Sequence, residues 1–494
     1  MKVLQKLVKR ATVALAVVLA SAGLIIFFSG TKSISTHEQH LALDASSNRS
    51  RVTKLYFVQG TSSSEFLRRR HKVRDACLPG NHLQDLPSDV QHVLTHGDSG
   101  VIYCIVPKAG CTFWKRVFSF LNDKNITRPL DTIFSIPRLL VHQQGQGEPF
   151  QHYIHNPHKY LTRVMVSRDP LARILSSYLD KFYLPDFWES YGTTFMEQVT
   201  GFARMNSMRE PVRTGMDFSH AKLSNSCSWI RNKLNSSVSV PNAKQINDNT
   251  VTADDFMRKH FDDMANRFWP KHGTGSFQTG SSTYQDTRCG KYLTFSEFVL
   301  ASMYEEEPHW QPTYQVCNPC QFEPTHVSYM ETFNADAKVV LGSMGLKDLV
   351  DQLDPVSQVN EEISMLVEYH FNNVFNGPGS HFYSTCLTPQ ELSYRLWSTF
   401  LWQGYIHPLA VYDVPDFHDV SSVKEDLLAQ IRQARYLGLK DEHVMEKAKR
   451  LFSRKFFTTL TAEALKELFI KFRVDLKLFH RDKDIDGFNC LFSI

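Results

Sequence analysis

Hydrophobic positions change their spacing several times along the chain, and each change predicts a different kind of segment. Residues 11–28 form an uncharged apolar run, whereas residues 29 to 95 are polar with little periodicity. From Val101 onward, short apolar runs alternate with stripes at helical spacing, which is typical of an α/β body. The last stripe predicts an amphipathic C-terminal helix and consists of Leu465, Leu468, Phe469, Phe472, Leu476 and Phe479.

The apolar run at residues 11–28 is long enough to cross a thin bilayer, because eighteen helical residues span about 27 Å. Four basic residues precede it within the first ten, and only Lys32 follows closely. The positive-inside rule therefore predicts a type II membrane protein with a luminal body. The alternative is a signal peptide cleaved near residues 20–22. Both readings permit disulfide bonds and candidate N-glycosylation at Asn48, Asn125 and Asn235.

The same changes in the spacing of hydrophobic residues predict how the chain is divided into segments. We expect a cytosolic tail (1–10), a signal anchor (11–28), a luminal stem (29–95), one α/β domain (96–480) and a C-terminal tail (481–494). Within the α/β domain, residues 207–290 are expected to be loop-rich and residues 347–450 to be an insertion. The basic run at residues 68–72 lies in the predicted stem, and we interpret it as a solvated face or a processing site in preference to a ligand patch.

The amino-acid composition excludes several classes of protein. A chain of 494 residues with 42% hydrophobic and 21% charged residues is globular, which excludes disordered, collagen-like and multi-span membrane proteins. The net charge of +4 gives no argument for a nucleic-acid partner, so an anionic ligand would need a local basic cluster. The nine cysteines are too few for a disulfide-dense mini-protein, and their odd number leaves at least one unpaired within a monomer.

The first phosphate-binding signal is a strand, a tight loop and a helix in succession. Residues 101–106 read as a buried parallel strand, and residues 107–112 follow as a loop containing Gly110. Such a loop points backbone N–H groups at one spot, where Lys108, Thr112 and a basic pair at 115–116 add charge and a hydroxyl. The loop lacks the longer spacing of an ATP-type P-loop. An ordinary strand-to-helix turn is the alternative interpretation.

The second phosphate-binding signal has the same local order. A strand at residues 162–167 leads to Arg168, and the following helix has Asp169 as a plausible N-cap and Pro170 at its first position. Ser176 comes two turns later. An arginine fork with a nearby hydroxyl suits a terminal phosphate. The alternative is that Arg168 and Asp169 simply pair at the surface.

Together these two motifs resemble those of the Golgi carbohydrate sulfotransferases of the HNK-1/chondroitin 4-O type. In that family the first loop holds the 5′-phosphosulfate of the donor PAPS (3′-phosphoadenylyl sulfate), and the second motif holds its 3′-phosphate. Segments 292–298, 309–320, 329–332 and 456–479 also resemble family blocks. The sequence departs from the pattern at Leu476 and His480, where Phe and Gly are expected, and at Pro308, where an acidic residue is common.

The resemblance implies an α/β fold with a P-loop-like parallel sheet flanked by helices, the PAPS-dependent sulfotransferase fold, behind an N-terminal transmembrane helix. It implies sulfuryl transfer from PAPS to a hydroxyl of a glycosaminoglycan or glycoprotein glycan in the Golgi, without a metal. Lys108 would act at the bridging oxygen. The implied donor-binding residues are Pro107, Lys108, Ala109, Gly110, Cys111, Thr112, Trp114, Lys115, Arg116, Arg168, Asp169, Arg173 and Ser176.

A general base should remove the proton of the acceptor hydroxyl. His309 is our hypothesis for this role, since histidine titrates near neutral pH and His309 lies in a family block. The alternative is that His309 and Trp310 pack in the core. Two competing functions also remain open, namely a catalytically inactive luminal glycan-binding relative and a luminal nucleotide-dependent kinase.

Cysteine spacing allows one further set of predictions. Cys317 and Cys320 form a CxxC pair, but the sequence has no second such pair to complete a zinc site. Disulfides to other cysteines such as Cys227, Cys289 or Cys386 are therefore favoured. Cys104 lies in the middle of a predicted strand, and we expect it to be a buried free thiol.

Overall fold

Four strands form one sheet in the order β1-β2-β3-β4 in this computed structural model. The strands are β1 (Val93–His96), β2 (Val101–Cys104), β3 (Thr162–Ser167) and β4 (His326–Tyr329). β1 pairs antiparallel with β2, whereas β2–β3 and β3–β4 are parallel pairs, with Val101 opposite Thr162 and Val164 opposite His326. The strand predicted at residues 162–167 is confirmed, and the one predicted at 101–106 is confirmed over Val101–Cys104. The protein has a mixed α/β fold whose parallel strands are flanked by helices.

The structure describes residues 63–78, 92–122, 136–144, 147–150, 161–195, 293–346, 354–440 and 442–479, with a few isolated positions between them. The predicted anchor, the three candidate glycosylation sites and nearly all of the predicted loop-rich segment lie outside the described residues. Among the residues that are described, no helix combines the length and the apolar character needed to span a bilayer.

Fourteen α-helices lie within these ranges, with π-helical turns at Leu179–Tyr183 and Trp188–Gly192 and a 3₁₀ turn at Met330–Thr332. The helices are α1 (Ser63–Ala76), α2 (Cys111–Asn122), α3 (Arg138–Gln144), α4 (Pro170–Tyr178), α5 (Phe295–Ser302), α6 (Thr313–Val316), α7 (Pro319–Phe322), α8 (Phe333–Ser343), α9 (Pro355–Phe375), α10 (Ser380–Cys386), α11 (Pro389–Trp402), α12 (Val420–Gly438), α13 (Glu442–Thr458) and α14 (Ala462–Phe479).

Local sequence explains where several helices begin. The Asp169 carboxylate accepts a hydrogen bond from the Ala172 N–H at 2.7 Å, and Pro170 occupies the first turn of α4, as predicted. Capping boxes start α5 at Thr294 and α11 at Thr388. The predicted C-terminal stripe is confirmed, because all six of its residues are buried in α14.

The core has two parts. One hydrophobic cluster surrounds the sheet and includes α2, α8 and the end of α14. The other joins α4 and α5 to the helices α9–α14. Residues 347–450, predicted as an insertion, thus supply nearly half of the buried residues of a second, helical core. This core lies beside α4, the helix that carries the second predicted phosphate motif.

Helix α1 lies inside the predicted polar stem, yet it packs against β4 and α14. The interpretation of residues 68–72 as a solvated face is wrong for Arg69, whose side chain is 1% exposed. Its guanidinium pairs with the buried Asp336 at 2.6 Å and donates to the Val327 carbonyl at 3.1 Å. Phe66 and Val73 are buried on the same face of α1, but the arginine between them interrupts the apolar spacing, which is why the expectation failed.

Disulfides join segments that are far apart in the sequence. Bridges join Cys77 to Cys320, Cys104 to Cys317 and Cys289 to Cys386. The expectation that the CxxC cysteines form disulfides is confirmed, although their partners differ from those named. The expectation of a free thiol at Cys104 is wrong, because the CxxC segment packs against the buried face of β2, across 213 residues of sequence. Cys111 is the free cysteine among the described residues.

Candidate active site

The residues that directly follow the three parallel strands line one cavity of about 780 Å³. Lys108 and Gly110 follow β2, Arg168 follows β3, and Glu331 follows β4. Helices α9 and α13 and the turn after α11 form the opposite wall. The carboxyl edge of parallel strands is the usual ligand site of α/β sheets.

The loop after β2 has an unusual backbone. Lys108 and Gly110 both have left-handed conformations, with φ of 64° and 72°. A Cβ at Gly110 would lie 2.6 Å from Cε2 of Phe333, so this position requires glycine for space as well as conformation. A lysine with positive φ is uncommon and costs about 1–3 kcal/mol, which the surroundings must offset.

The second motif holds this loop in place. The Arg168 guanidinium donates to the Lys108 carbonyl at 2.9 Å, and Arg173 donates to the Pro107 carbonyl at 2.9 Å. Arg173 is buried and also donates to the carbonyls of Pro308 and Gln311. The two predicted phosphate motifs are therefore one structural unit, and Arg173 connects that unit to the His309 segment.

A buried carboxylate lies beneath the loop. Asp180 Oδ2 is 2.9 Å from Lys108 Nζ, 3.1 Å from Arg138 Nη2 and 3.4 Å from Lys181 Nζ. Burial alone would raise the pKa of Asp180, but the charges of these three cations hold it well below its usual range. Asp180 belongs to the π-helical turn that continues α4, a kind of distortion that is frequent at functional sites.

The other predicted donor-site residues fall into two groups. Cys111, Thr112, Arg116 and Ser176 line the cavity together with Lys108, Gly110 and Arg168. The remaining ones are not lining residues: Ala109 and Trp114 are fully buried in the sheet core, Lys115 is buried, and Asp169 caps α4. Burial lowers the pKa of Lys115.

His309 lies at the cavity beside a carboxylate. Its Nδ1 is 2.7 Å from Glu307 Oε1, and its backbone N–H donates to Glu307 Oε2 at 2.7 Å. Burial, followed by the charges of Lys181 and Lys108, holds the pKa of His309 well below its usual value, so the imidazole is neutral. Burial raises the pKa of Glu307 to about 7. With Nδ1–H donating to Glu307, Nε2 carries the lone pair that a general base needs.

Sequence reasoning missed several lining or supporting residues. Glu307 and Asp180 could have been found from the sequence, because Glu307 lies two positions before His309 and Asp180 lies one turn after Ser176. Arg138 and the residues of the helical wall could not have been found in this way, because nothing in the sequence links them to the motifs. These wall residues are Gln358, Val359, Glu362, Leu366, Gln403, Tyr405 and Lys449.

The charge of the described cavity lining favours an anion. Five lysines and arginines line it (Lys108, Arg116, Arg138, Arg168 and Lys449), against three carboxylates (Asp180, Glu331 and Glu362). No group of three or more His, Cys, Asp or Glu side chains in the described part of the chain is arranged to hold a metal ion.

Fold and site together define an α/β protein with a cation-rich cavity at the carboxyl ends of its parallel strands. The chain belongs to the sulfotransferase family, since the sequence profile of that family matches residues 91–377, more than half of the chain. The recognition of this family from its two motifs is thereby confirmed.

The curated relatives are carbohydrate sulfotransferases. The chain is 22% identical to carbohydrate sulfotransferase 12 of Xenopus laevis over 282 residues, which are 54% of this chain and 51% of the relative. It is 28% identical to carbohydrate sulfotransferase 11 of Rattus norvegicus over 162 residues, 30% of this chain and 44% of the relative. Human carbohydrate sulfotransferase 8 is 31% identical over 134 residues, 26% of this chain and 30% of the relative. The matches thus span about half the length of these relatives or less. No solved structure matches the chain.

Proposed function

We propose that the protein is a PAPS-dependent carbohydrate O-sulfotransferase. It would transfer a sulfuryl group to a sugar hydroxyl of a glycosaminoglycan of the chondroitin or dermatan kind, or of a glycoprotein glycan. The observation that carries the proposal is that Lys108, Arg168 and Ser176, named from two separate motifs, line one cation-rich cavity. Family membership and the names of the relatives support the same reaction class.

The cavity suits a donor with phosphate groups at both the 3′ and the 5′ position of its ribose. Its volume of about 780 Å³ is within the usual range for a small-molecule site, and its lining cations can offset the charges of two phosphate groups. The loop at residues 107–112 would hold the 5′-phosphosulfate, with Arg116 nearby, while Arg168 and Ser176 would hold the 3′-phosphate. Pro107, Ala109, Trp114, Lys115, Asp169 and Arg173 would act indirectly, by shaping the loop and its helices.

The donor supplies the sulfuryl group, whose S–O bond to the 5′-phosphate breaks as the acceptor oxygen bonds to sulfur. His309 Nε2 would take the acceptor proton, and Glu307 would stabilise the resulting imidazolium through Nδ1–H. Lys108 would offset the negative charge that develops on the leaving phosphate oxygen. Asp180 and Arg168 keep Lys108 and its loop in position before any substrate arrives.

We place this reaction in the Golgi lumen, with residues 1–10 cytosolic, 11–28 as a type II anchor and 29–95 as a stem that includes α1. Residues 96–480 would be the sulfotransferase domain, with 347–450 inserted, followed by a tail at 481–494. Three disulfides support an oxidising compartment. Asn48, Asn125 and Asn235 are proposed glycosylation sites.

The test uses the purified secreted protein with radiolabelled PAPS and a panel of desulfated chondroitin, dermatan, heparan and N-glycan acceptors. We expect labelled sulfate on at least one acceptor and no transfer of phosphate from labelled ATP. Glycan binding without transfer would instead favour the inactive relative, and phosphate transfer would favour a kinase. Either result overturns the proposal.

A further inference from the structure

Lys449 lies on α13, well beyond the stretch of residues 91–377 that matches the family profile. It nevertheless lines the same cavity as Arg168 and Ser176. Neither predicted motif includes it, and the mechanism above does not use it. Lys449 therefore brings a cation to the proposed donor site from an element outside the family match.

The turn after α11 directs the Lys449 side chain. Gly404 has a left-handed backbone with φ of 71°, and a Cβ there would lie 3.1 Å from Cβ and 3.5 Å from Cδ of Lys449. The aliphatic stem of Lys449 thus packs directly on the bare backbone of Gly404. The residues on either side of this glycine, Gln403 and Tyr405, also line the cavity. A glycine at this position lets the stem lie flat and extend towards the cavity.

The charges around Lys449 indicate what it can bind. Partial desolvation lowers the pKa of Lys449, the carboxylate of Glu446 raises it, and the charges of Arg168 and Glu331 lower and raise it in turn. Lys449 and Arg168 are two cations from separate elements that line the same cavity. An anion bound between these two cations would offset their mutual repulsion.

We propose that Lys449 binds the 3′-phosphate of the donor together with Arg168 and Ser176, and so contributes to donor specificity. This inference rests on the proposed function, because it assigns one more residue to the donor site named there. It also gives the helical segment at residues 347–450 a role, which is to close the donor site with a cation that the sheet does not provide.

The test measures binding of adenosine 3′,5′-bisphosphate and of adenosine 5′-monophosphate by calorimetry, because these ligands differ only in the 3′-phosphate. For Lys449→Met we expect about 10- to 100-fold weaker binding of the bisphosphate, the usual worth of a charge-assisted hydrogen bond. Binding of the monophosphate should not change. Lys449→Arg should retain most of the affinity, and Lys447→Met is the matched control, since Lys447 is exposed on the same helix and is not a cavity-lining residue.

The outcomes separate this inference from the proposed function. If the unsubstituted protein binds neither nucleotide, the proposed function fails. If it prefers the bisphosphate and Lys449→Met keeps that preference, the assignment of Lys449 is wrong. An increase only in the KM for the glycan acceptor would also overturn it, because Lys449 would then contact the acceptor.

Discussion

The ammonium of Lys108 lies 2.9 Å from the carboxylate of Asp180, in a site where both side chains are largely shielded from solvent. Asp180 also pairs with Arg138 and Lys181, so one carboxylate fixes three cations. Lys108 is therefore held in position by the protein before substrates bind. This relationship makes Asp180 as important to the proposed site as the motif residues themselves.

Replacing Asp180 should destabilise the fold. Asp180→Asn leaves three buried cations without their shared partner, and breaking a buried ion pair costs roughly 3–5 kcal/mol. We expect a matching fall in the free energy of unfolding measured by urea denaturation. Adenosine 3′,5′-bisphosphate should restore part of the loss. Asp416→Asn, at an exposed position, is the control, and equal stability of the two variants would contradict the assignment.

The Glu307–His309 pair predicts a pH profile. The pKa of Glu307 is about 7, so below this pH the carboxyl is protonated and no longer stabilises the imidazolium of His309. The rate should therefore fall as pH decreases through about 7. Glu307→Gln should have a lower kcat without this acid limb, while the KM for the donor stays unchanged. Glu306→Gln, at the exposed neighbouring position, should keep the limb. A limb that survives in Glu307→Gln would show that another group causes it.

The Cys104–Cys317 disulfide closes a loop of 213 residues between β2 and the CxxC segment. Its removal in the double variant Cys104→Ala/Cys317→Ala should lower the free energy of unfolding by about 2–5 kcal/mol. Thermal unfolding measures this effect, and non-reducing peptide mapping checks the pairing. Recovery of Cys104 as a free thiol in the active protein would contradict the structure.

Arg69 should be necessary for stability although it lies in the predicted stem. Arg69→Met leaves the carboxylate of Asp336 buried without its cation, which should cost roughly 3–5 kcal/mol. The exposed neighbour Arg70 provides the control variant Arg70→Met, which should unfold like the unsubstituted protein. A secreted version that begins after residue 78 should likewise be less stable than one that begins before residue 63. Equal melting temperatures would argue against this role for α1.

The features that the sequence could predict depend on residues close together in the chain. The strands before Lys108 and Arg168, the cap at Asp169 and the stripe of α14 depend on neighbouring residues, and all are confirmed. The resemblance of two short motifs was also sufficient to identify the family.

The features that the sequence could not predict depend on pairings between residues far apart in the chain. The partners of Arg69, Cys104 and Asp180 are set by how separate elements pack, and Lys449 reaches the cavity through a turn at Gly404. Glu307 is the intermediate case. It is adjacent to a predicted residue, but its role depends on burial that only the folded chain provides.

The central claim is that the cavity at the ends of β2 and β3 transfers sulfate. The most direct test is the transfer of labelled sulfate from PAPS by Lys108→Ala and Arg168→Ala beside the unsubstituted protein. We expect each variant to lose at least about 10²–10³-fold in rate, because charge stabilisation is lost where the leaving phosphate forms or where the donor is held. Lys108→Ala should stay folded, since Asp180 keeps Arg138 and Lys181 as partners. Full activity in either folded variant would contradict the account.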